Sequence, residues 1–225
     1  MIRALALLAV LLAAAAGCGD TAPADEPAAA NGSAAAGNVS EPPAAAPLPD
    51  VVRVRLETEA GAIMLALDAK SAPVTTANFV RYVDEGRFDG TTFYRAAPTP
   101  GAPAGEGARG FIQGGIRRDY KRMLPPIVHE PTSATGLRHE AGTISMAHTA
   151  PGNAMGEFFI TVSAMPSMDA RAGEPGYAAF GRVAEGMDVV RRILAAPTVA
   201  DAGRGAMRGQ MIREPVRIVA ARRVE

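Results

Sequence analysis

The chain is 225 residues long and 48% hydrophobic, with 23 Lys and Arg matched by 23 Asp and Glu. That balance, without a Lys/Arg block interleaved with aromatics, leaves no electrostatic footprint for nucleic acid. A lone cysteine, Cys18, excludes an intramolecular disulfide, so the folded part must be held by its core.

The chain opens "MIRALALLAVLLAAAAGC": Arg3, then thirteen apolar residues from Ala4 to Ala16, then Gly17 and Cys18. A helix crossing a bilayer needs about 20 such residues, whereas the apolar region of a secretory signal has this shorter length. Residues 1–17 therefore read as a signal peptide. Cys18 stands where a bacterial lipoprotein signal is cut and the thiol lipidated, although Ala15 occupies a place that more often holds Leu. The expectation is a periplasmic protein tethered to the inner or outer membrane through a lipid on Cys18 and by nothing else. Simple cleavage, giving a soluble periplasmic form, is the alternative. Residues 18–50 are rich in Ala and Pro and carry Asp20, Asp25, Glu26, Glu41 and Asp50 but no base. Such a segment buries too little apolar surface to offset its ordering entropy and reads as a disordered tether.

Removing Arg3 and those five acids from the totals of 23 and 23 leaves 22 bases and 18 acids in residues 51–225, a mild excess in a segment of single-domain size. "VVRVRLET" alternates Val52, Val54 and Leu56 against Arg53, Arg55 and Glu57, and after Gly61 "AIMLALD" alternates Ile63, Leu65 and Leu67, so both predict strands of a hairpin. "APVTTANFVRYVDEGRF" predicts an amphipathic helix, with Pro73 at its first position, Thr76, Phe79, Val80 and Val83 on one face, and Gly86 as its stop. Short strands follow at "TTFYRAA", "FIQGG", "GTISMAH", "EFFITVS" and "AFGRV". A second helix lies in "EGMDVVRRILAA", where Met187, Val190, Ile193 and Leu194 share a face, and "VRIVAARRV" closes the chain as a strand. About eight strands and two helices in so small a domain predict a β-dominated fold, a sheet closed into an antiparallel barrel with the helices plugging its ends.

Between the third and fourth strands, "GEGARGFIQGG" contains Gly105, Gly107 and Gly110 at the spacing of a dinucleotide fingerprint. That motif needs a strand before it and a helix after it. Here Pro98, Pro100 and Pro103 precede it and "FIQGG" follows, so the glycines read as a flexible surface loop. No G-x-S-x-G is present, and Cys18 lies outside the domain. His129, His139 and His148 lack metal-ligand spacing and read as solvated loop residues, so no metal and no cofactor is expected.

The blocks "FDGTTFYR", "FIQGG", "GTISMA", "EFFI" and "GYAAFGRVAEGMDVV", in this order, resemble the cyclophilin family of peptidyl-prolyl cis-trans isomerases, and most closely its exported bacterial branch. The resemblance implies an eight-stranded closed barrel capped by two α-helices and an enzyme that speeds rotation about X-Pro bonds of flexible or unfolded exported proteins, acting as a monomer. A weakly catalytic chaperone or proline-peptide binding module on the same fold is the alternative. By position, Arg95 matches the catalytic arginine and Gln113 the glutamine that places substrate and arginine. Met146, Phe159, Met168 and Tyr177 match or neighbour the apolar wall for the proline ring, Tyr177 replacing a pocket histidine, and Phe111 and Ile112, also expected to bind substrate, stand where the family usually has an aromatic and a methionine before the glutamine. Ala147 and His148 match the backbone that holds an extended peptide. Glu157 stands where the family usually has Gln, Ser167 where many members have Trp, and the segment from Arg95 to Gln113 is longer than usual, which implies an inserted loop at the rim of the groove.

Overall fold

A computed structural model describes residues 47–103 and 105–225. The expectations for residues 1–17, Cys18 and nearly all of the tether lie outside the described residues.

The chain forms β1 (Val51–Thr58), β2 (Gly61–Asp68), α1 (Pro73–Asp84), β3 (Thr92–Pro98), β4 (Gly110–Gly115), α2 (Thr132–Thr135), β5 (Thr143–Met146), β6 (Glu157–Thr161), β7 (Ala178–Glu185), α3 (Met187–Leu194), β8 (Thr198–Val199) and β9 (Met211–Val224). Neighbouring strands run β1-β2-β7-β5-β6-β4-β3-β9, and β9 pairs back with β1 from Arg53↔Val224 to Thr58↔Ile218. Eight antiparallel strands thus close into a barrel, while the two-residue β8 hangs on β9. Closure removes the unpaired edges of an open sheet. Among the described residues there are three α-helices where two were expected. α2 is a single turn stopped by Gly136 in the left-handed conformation, too short to show a 3.6-residue period.

Period-two alternation sends Val52, Val54 and Leu56 of β1 and Ile63, Leu65 and Leu67 of β2 into the barrel, all buried. α1 closes one end. Its Phe79 ring packs 4.9 Å from Phe88 and 5.3 Å from both Phe158 and Phe180, an aromatic knot inside the strands. Pro73 opens the helix without needing a hydrogen bond. The carboxylate of Glu130 accepts the next two amides, Val74 N–H at 3.1 Å and Thr75 N–H at 2.7 Å, an anion at the positive end of the helix. Further along α1, Asn78 donates to the Met155 carbonyl (2.9 Å) and the Tyr82 hydroxyl accepts the Leu124 amide (2.7 Å). Both bonds tie irregular segments to the helix, one just before β6 and one after β4.

None of the described residues of the 99–109 loop lines the groove described below. The loop's 3-10 turn, Gly105–Gly107, packs toward α3, and no strand leads into its glycines. Gly110 opens β4 at φ 125°, and a Cβ there would stand 2.2 Å from the Ala97 carbonyl oxygen. Its glycine serves close strand pairing. No helix among the described residues is long and apolar enough to cross a membrane.

Candidate active site

One groove of about 500 Å³ runs across the outside of the barrel over β3, β4 and β6. A β-bulge shapes its floor. Phe93 pairs with Gly114 and Arg95 with Gln113, so Tyr94 is an extra residue that the partner strand does not match. Strict alternation would place Tyr94 and Arg95 on opposite faces. With the bulge, Phe93 stays in the core while Tyr94 and Arg95 both line the groove.

Arg95 is held from two sides. Its Nη1 donates to Oε1 of Gln113 (2.8 Å), and its Nε and Nη2 donate to Oε1 of Gln210 (2.8 and 2.7 Å). A guanidinium has five N–H donors, so one hydrogen on each terminal nitrogen is left over. Its carbon lies 4.8 Å from the centre of the Phe111 ring, a cation over an aromatic face. Burial lowers its pKa from the ordinary arginine value, opposed by Tyr94, Tyr177 and Glu157, and it remains a cation.

The hydrogen bonds continue past Gln113. Its Nε2 donates to the Tyr94 hydroxyl (2.7 Å), which donates to Oε1 of Glu157 (2.7 Å). Burial, then the charge and hydrogen bond of Glu157, push the Tyr94 phenol far above its ordinary pKa, so it keeps its proton and must be the donor. The Glu157 carboxyl is raised by burial, against the Tyr94 hydrogen bond and the Arg117, Arg118 and Arg95 charges. Arg117 stacks 4.8 Å from the centre of the Tyr94 ring.

Phe159 of β6 forms the apolar floor beside this polar line. Phe111 lies 5.5 Å from it and Tyr177 meets it edge-on at 5.3 Å. The His139 ring stacks near-parallel on its side, 5.8 Å between centroids. His139 is fully buried, not solvated as expected: its Nδ1 pairs with Asp169 (2.7 Å) and its Nε2 with Ser145 (3.0 Å). These are the atoms of a serine-hydrolase triad, yet Ser145 has no exposed surface and no acyl group can reach it. The set instead braces Phe159. His148 also leaves bulk solvent. It stacks 4.7 Å from Tyr177, and since a carbonyl only accepts, its Nε2–H donates to the Gly176 oxygen (3.1 Å).

Of the residues singled out from the sequence, Arg95, Phe111, Gln113, Ala147, His148, Glu157, Phe159, Met168 and Tyr177 share this groove. Ile112 and Met146 do not. Each is within 1% of complete burial in the barrel core, because β4 and β5 turn successive side chains to opposite faces. Tyr94, Gln210 and Arg117 were not foreseen. Tyr94 adjoins Arg95 in sequence but is brought round by the bulge, and Gln210 lies 115 residues away between β8 and β9. Neither carries a local signal. Among the described residues, no group of three His, Cys, Asp or Glu stands close enough to hold a metal ion.

The family of cyclophilin type peptidyl-prolyl cis-trans isomerases matches residues 53–222. The chain belongs to this family. Peptidyl-prolyl cis-trans isomerase A of Dickeya dadantii is 41% identical over 145 residues, covering 62% of this chain and 70% of that protein. The peptidyl-prolyl cis-trans isomerase of Acinetobacter baylyi is 33% identical over 170 residues, covering 74% of this chain and 82% of its own length. Among solved structures, a cyclophilin type peptidyl-prolyl cis-trans isomerase of Cryptosporidium parvum shares the fold, with TM-score 0.59 over 78% of this chain and 98% of that one at 20% identity. The same parasite protein, in the presence of the dipeptide Ala-Pro, matches at TM-score 0.58. The cyclophilin barrel expected from the blocks is therefore the fold, and the enzyme class is peptidyl-prolyl cis-trans isomerase.

Proposed function

We propose that this cyclophilin isomerises X-Pro bonds with Arg95 as the group that stabilises the twisted amide. An X-Pro bond resists rotation by about 18–20 kcal/mol because the nitrogen lone pair is delocalised into the carbonyl. Uncatalysed exchange takes roughly tens to hundreds of seconds. When the amide twists, the nitrogen becomes pyramidal and its lone pair becomes an acceptor. A guanidinium hydrogen aimed at that nitrogen forms a bond available only in the transition state. No covalent bond to the protein forms, so no nucleophile, metal or cofactor is required.

The observation that carries this reading is Arg95 clamped by Gln113 and Gln210 with two hydrogens to spare, above Phe111 and beside the Phe159 floor. The proline ring sits on Phe159, flanked by Met168 and Tyr177, and the extended peptide runs along Ala147 and His148. The test is NMR exchange spectroscopy on an X-Pro peptide. Arg95→Ala is expected to lower kcat/KM by roughly 10²–10³, the cost of removing an aligned transition-state donor. Equal rates for wild type and Arg95→Ala would overturn catalysis by Arg95 and leave a proline-peptide binding module.

Export belongs to the same proposal. The apolar run Ala4–Ala16 followed by Gly17 and Cys18 supports lipidation of Cys18, and residues 19–50 then carry the isomerase away from the membrane to exported clients. Labelling with a palmitate analogue is expected to mark wild type and miss Cys18→Ser. Failure to label either refutes the anchor.

A further inference from the structure

Glu157 is the residue of the groove whose role remains open, because a carboxylate beside an apolar proline site has nothing to do in the reaction itself. Its position in the hydrogen-bond line gives it one. Gln113 has an amide whose two ends differ only in which atom donates and which accepts. For its Oε1 to face Arg95, its Nε2 must find an acceptor on the other side, and that acceptor is the Tyr94 oxygen. The Tyr94 oxygen is free to accept only if its own hydrogen points elsewhere, and Glu157 takes it. The direction of every bond in the line is therefore set at its far end.

We propose that Glu157 is a positioning residue of the isomerase, which, through Tyr94 and Gln113, holds Arg95 in its catalytic orientation when ionised and loosens it when protonated. The inference rests on Arg95 being the catalytic group, as argued above. An ionised acceptor makes a hydrogen bond roughly twice as strong as a neutral one. Protonated, Glu157 has a hydrogen of its own to place, and the Tyr94 oxygen becomes one of its targets, in competition with Gln113. Gln113 is then released to turn its NH₂ toward Arg95, where donor faces donor.

The charged and titratable groups around the carboxyl are few. From β3 come Tyr94 and Arg95, and from the turn after β4 come Arg117 and Arg118. On the β5 side the Ala147 amide donates to the backbone of Glu157, and His148 and Tyr177 line the same groove. Burial moves the carboxyl's ionisation upward from the ordinary carboxylate range, and the loss of Arg95's support follows that ionisation. The His148 pKa is lowered by burial, so its ring is the other groove group able to titrate on the acid side.

The test is the pH profile of kcat and KM by NMR exchange for the full-length protein, from about pH 8 to about pH 5, with each variant compared with itself across pH. Wild type is expected to lose about fivefold in kcat on the acid side, with KM little changed, the size of one charge-assisted hydrogen bond reduced to a neutral one. Glu157→Gln holds a neutral acceptor at every pH, so its acid-side decline should vanish. Tyr94→Phe cuts the line and should also be flat, at a lower kcat. A decline that survives in Glu157→Gln belongs to another group, His148 in the groove or His139 beneath Phe159, and overturns the proposal, as does a flat wild-type profile. Arg95→Ala, measured alongside, separates the two failures: if it matches wild type the catalytic reading falls, and if it is slow while Glu157→Gln still declines, only the role of Glu157 falls. The ¹³C shift of the Glu157 carboxyl, followed against pH, must move together with the kcat decline.

Discussion

Gln210 shows how a single side chain off the strands completes the site. Its Oε1 receives two of the three occupied Arg95 donors, and its backbone carbonyl separately accepts the Ala96 amide, which an alanine would preserve. Gln210→Ala therefore subtracts the clamp without unmaking the strand. Arg95 would keep Gln113 alone and sweep a wider arc over Phe111. The expected result is a fall of about tenfold in kcat, equal to about 1.4 kcal/mol of lost transition-state stabilisation, with unfolding midpoints close to wild type. A variant as fast as wild type would show that Gln113 alone orients the guanidinium. Arg95 and Gln113 were legible because each sits inside a short block with a fixed neighbour. Gln210 was not, because its partner is 115 residues away and a loop glutamine has no pattern to read.

At the scale of elements, the end of β4 explains why "IQGG" has that form. Gly115 has φ 103°, and a Cβ on it would lie 2.2 Å from the Gly156 carbonyl oxygen, a backbone atom that cannot swing aside. Glycine lets β4 and β6 approach closely enough for Gln113 and Phe159 to pair across the groove. Gly115→Ala is expected to destabilise the fold by roughly 2–4 kcal/mol, read as a lower urea midpoint, since it adds left-handed strain to a backbone clash. An unchanged midpoint would mean that the strands can part there at little cost. The long elements were open to sequence reading because hydrophobic period alone marks them: β1, β2, α1 and α3 lie where alternation and the apolar faces place them. α2 and β8 were missed since one turn or two residues carry no period. The bulge at Tyr94 was missed for a different reason. It arises from pairing with β4 and β9 together, a tertiary constraint that local alternation contradicts. Ile112 and Met146 failed in the opposite sense, because block resemblance named them while simple alternation sends them inward.

For the molecule as a whole, two buried groups pull stability in opposite directions with pH. Burial lowers the His139 pKa, and the Asp169 hydrogen bond and charge only partly restore it. The unfolded imidazole titrates near about 6.5 and binds a proton more readily than the native one. Stability from neutral His139 is thus present above about pH 6.5 and is lost as pH falls through its lowered native pKa. Glu157 has the other sign. Its native carboxyl binds a proton more tightly than the unfolded chain, so stability is greatest below the unfolded value near about 4.3 and is lost as pH rises through the raised native pKa. A charge held at a cost to folding is what a positioning role for Glu157 would require. Replacing it by an uncharged isostere should then stabilise the protein where the carboxyl is ionised and do nothing where it is not. Glu157→Gln is expected to unfold at higher urea than wild type at about pH 7.5, with the advantage shrinking as pH approaches about 4.5, while both proteins weaken below about pH 6.5 through His139. An advantage that did not change with pH would trace to packing instead of charge. The variant that folds better at neutral pH is the one expected to lose the acid-side control of Arg95, so stability and turnover measured on the same sample bear on one carboxyl from two sides.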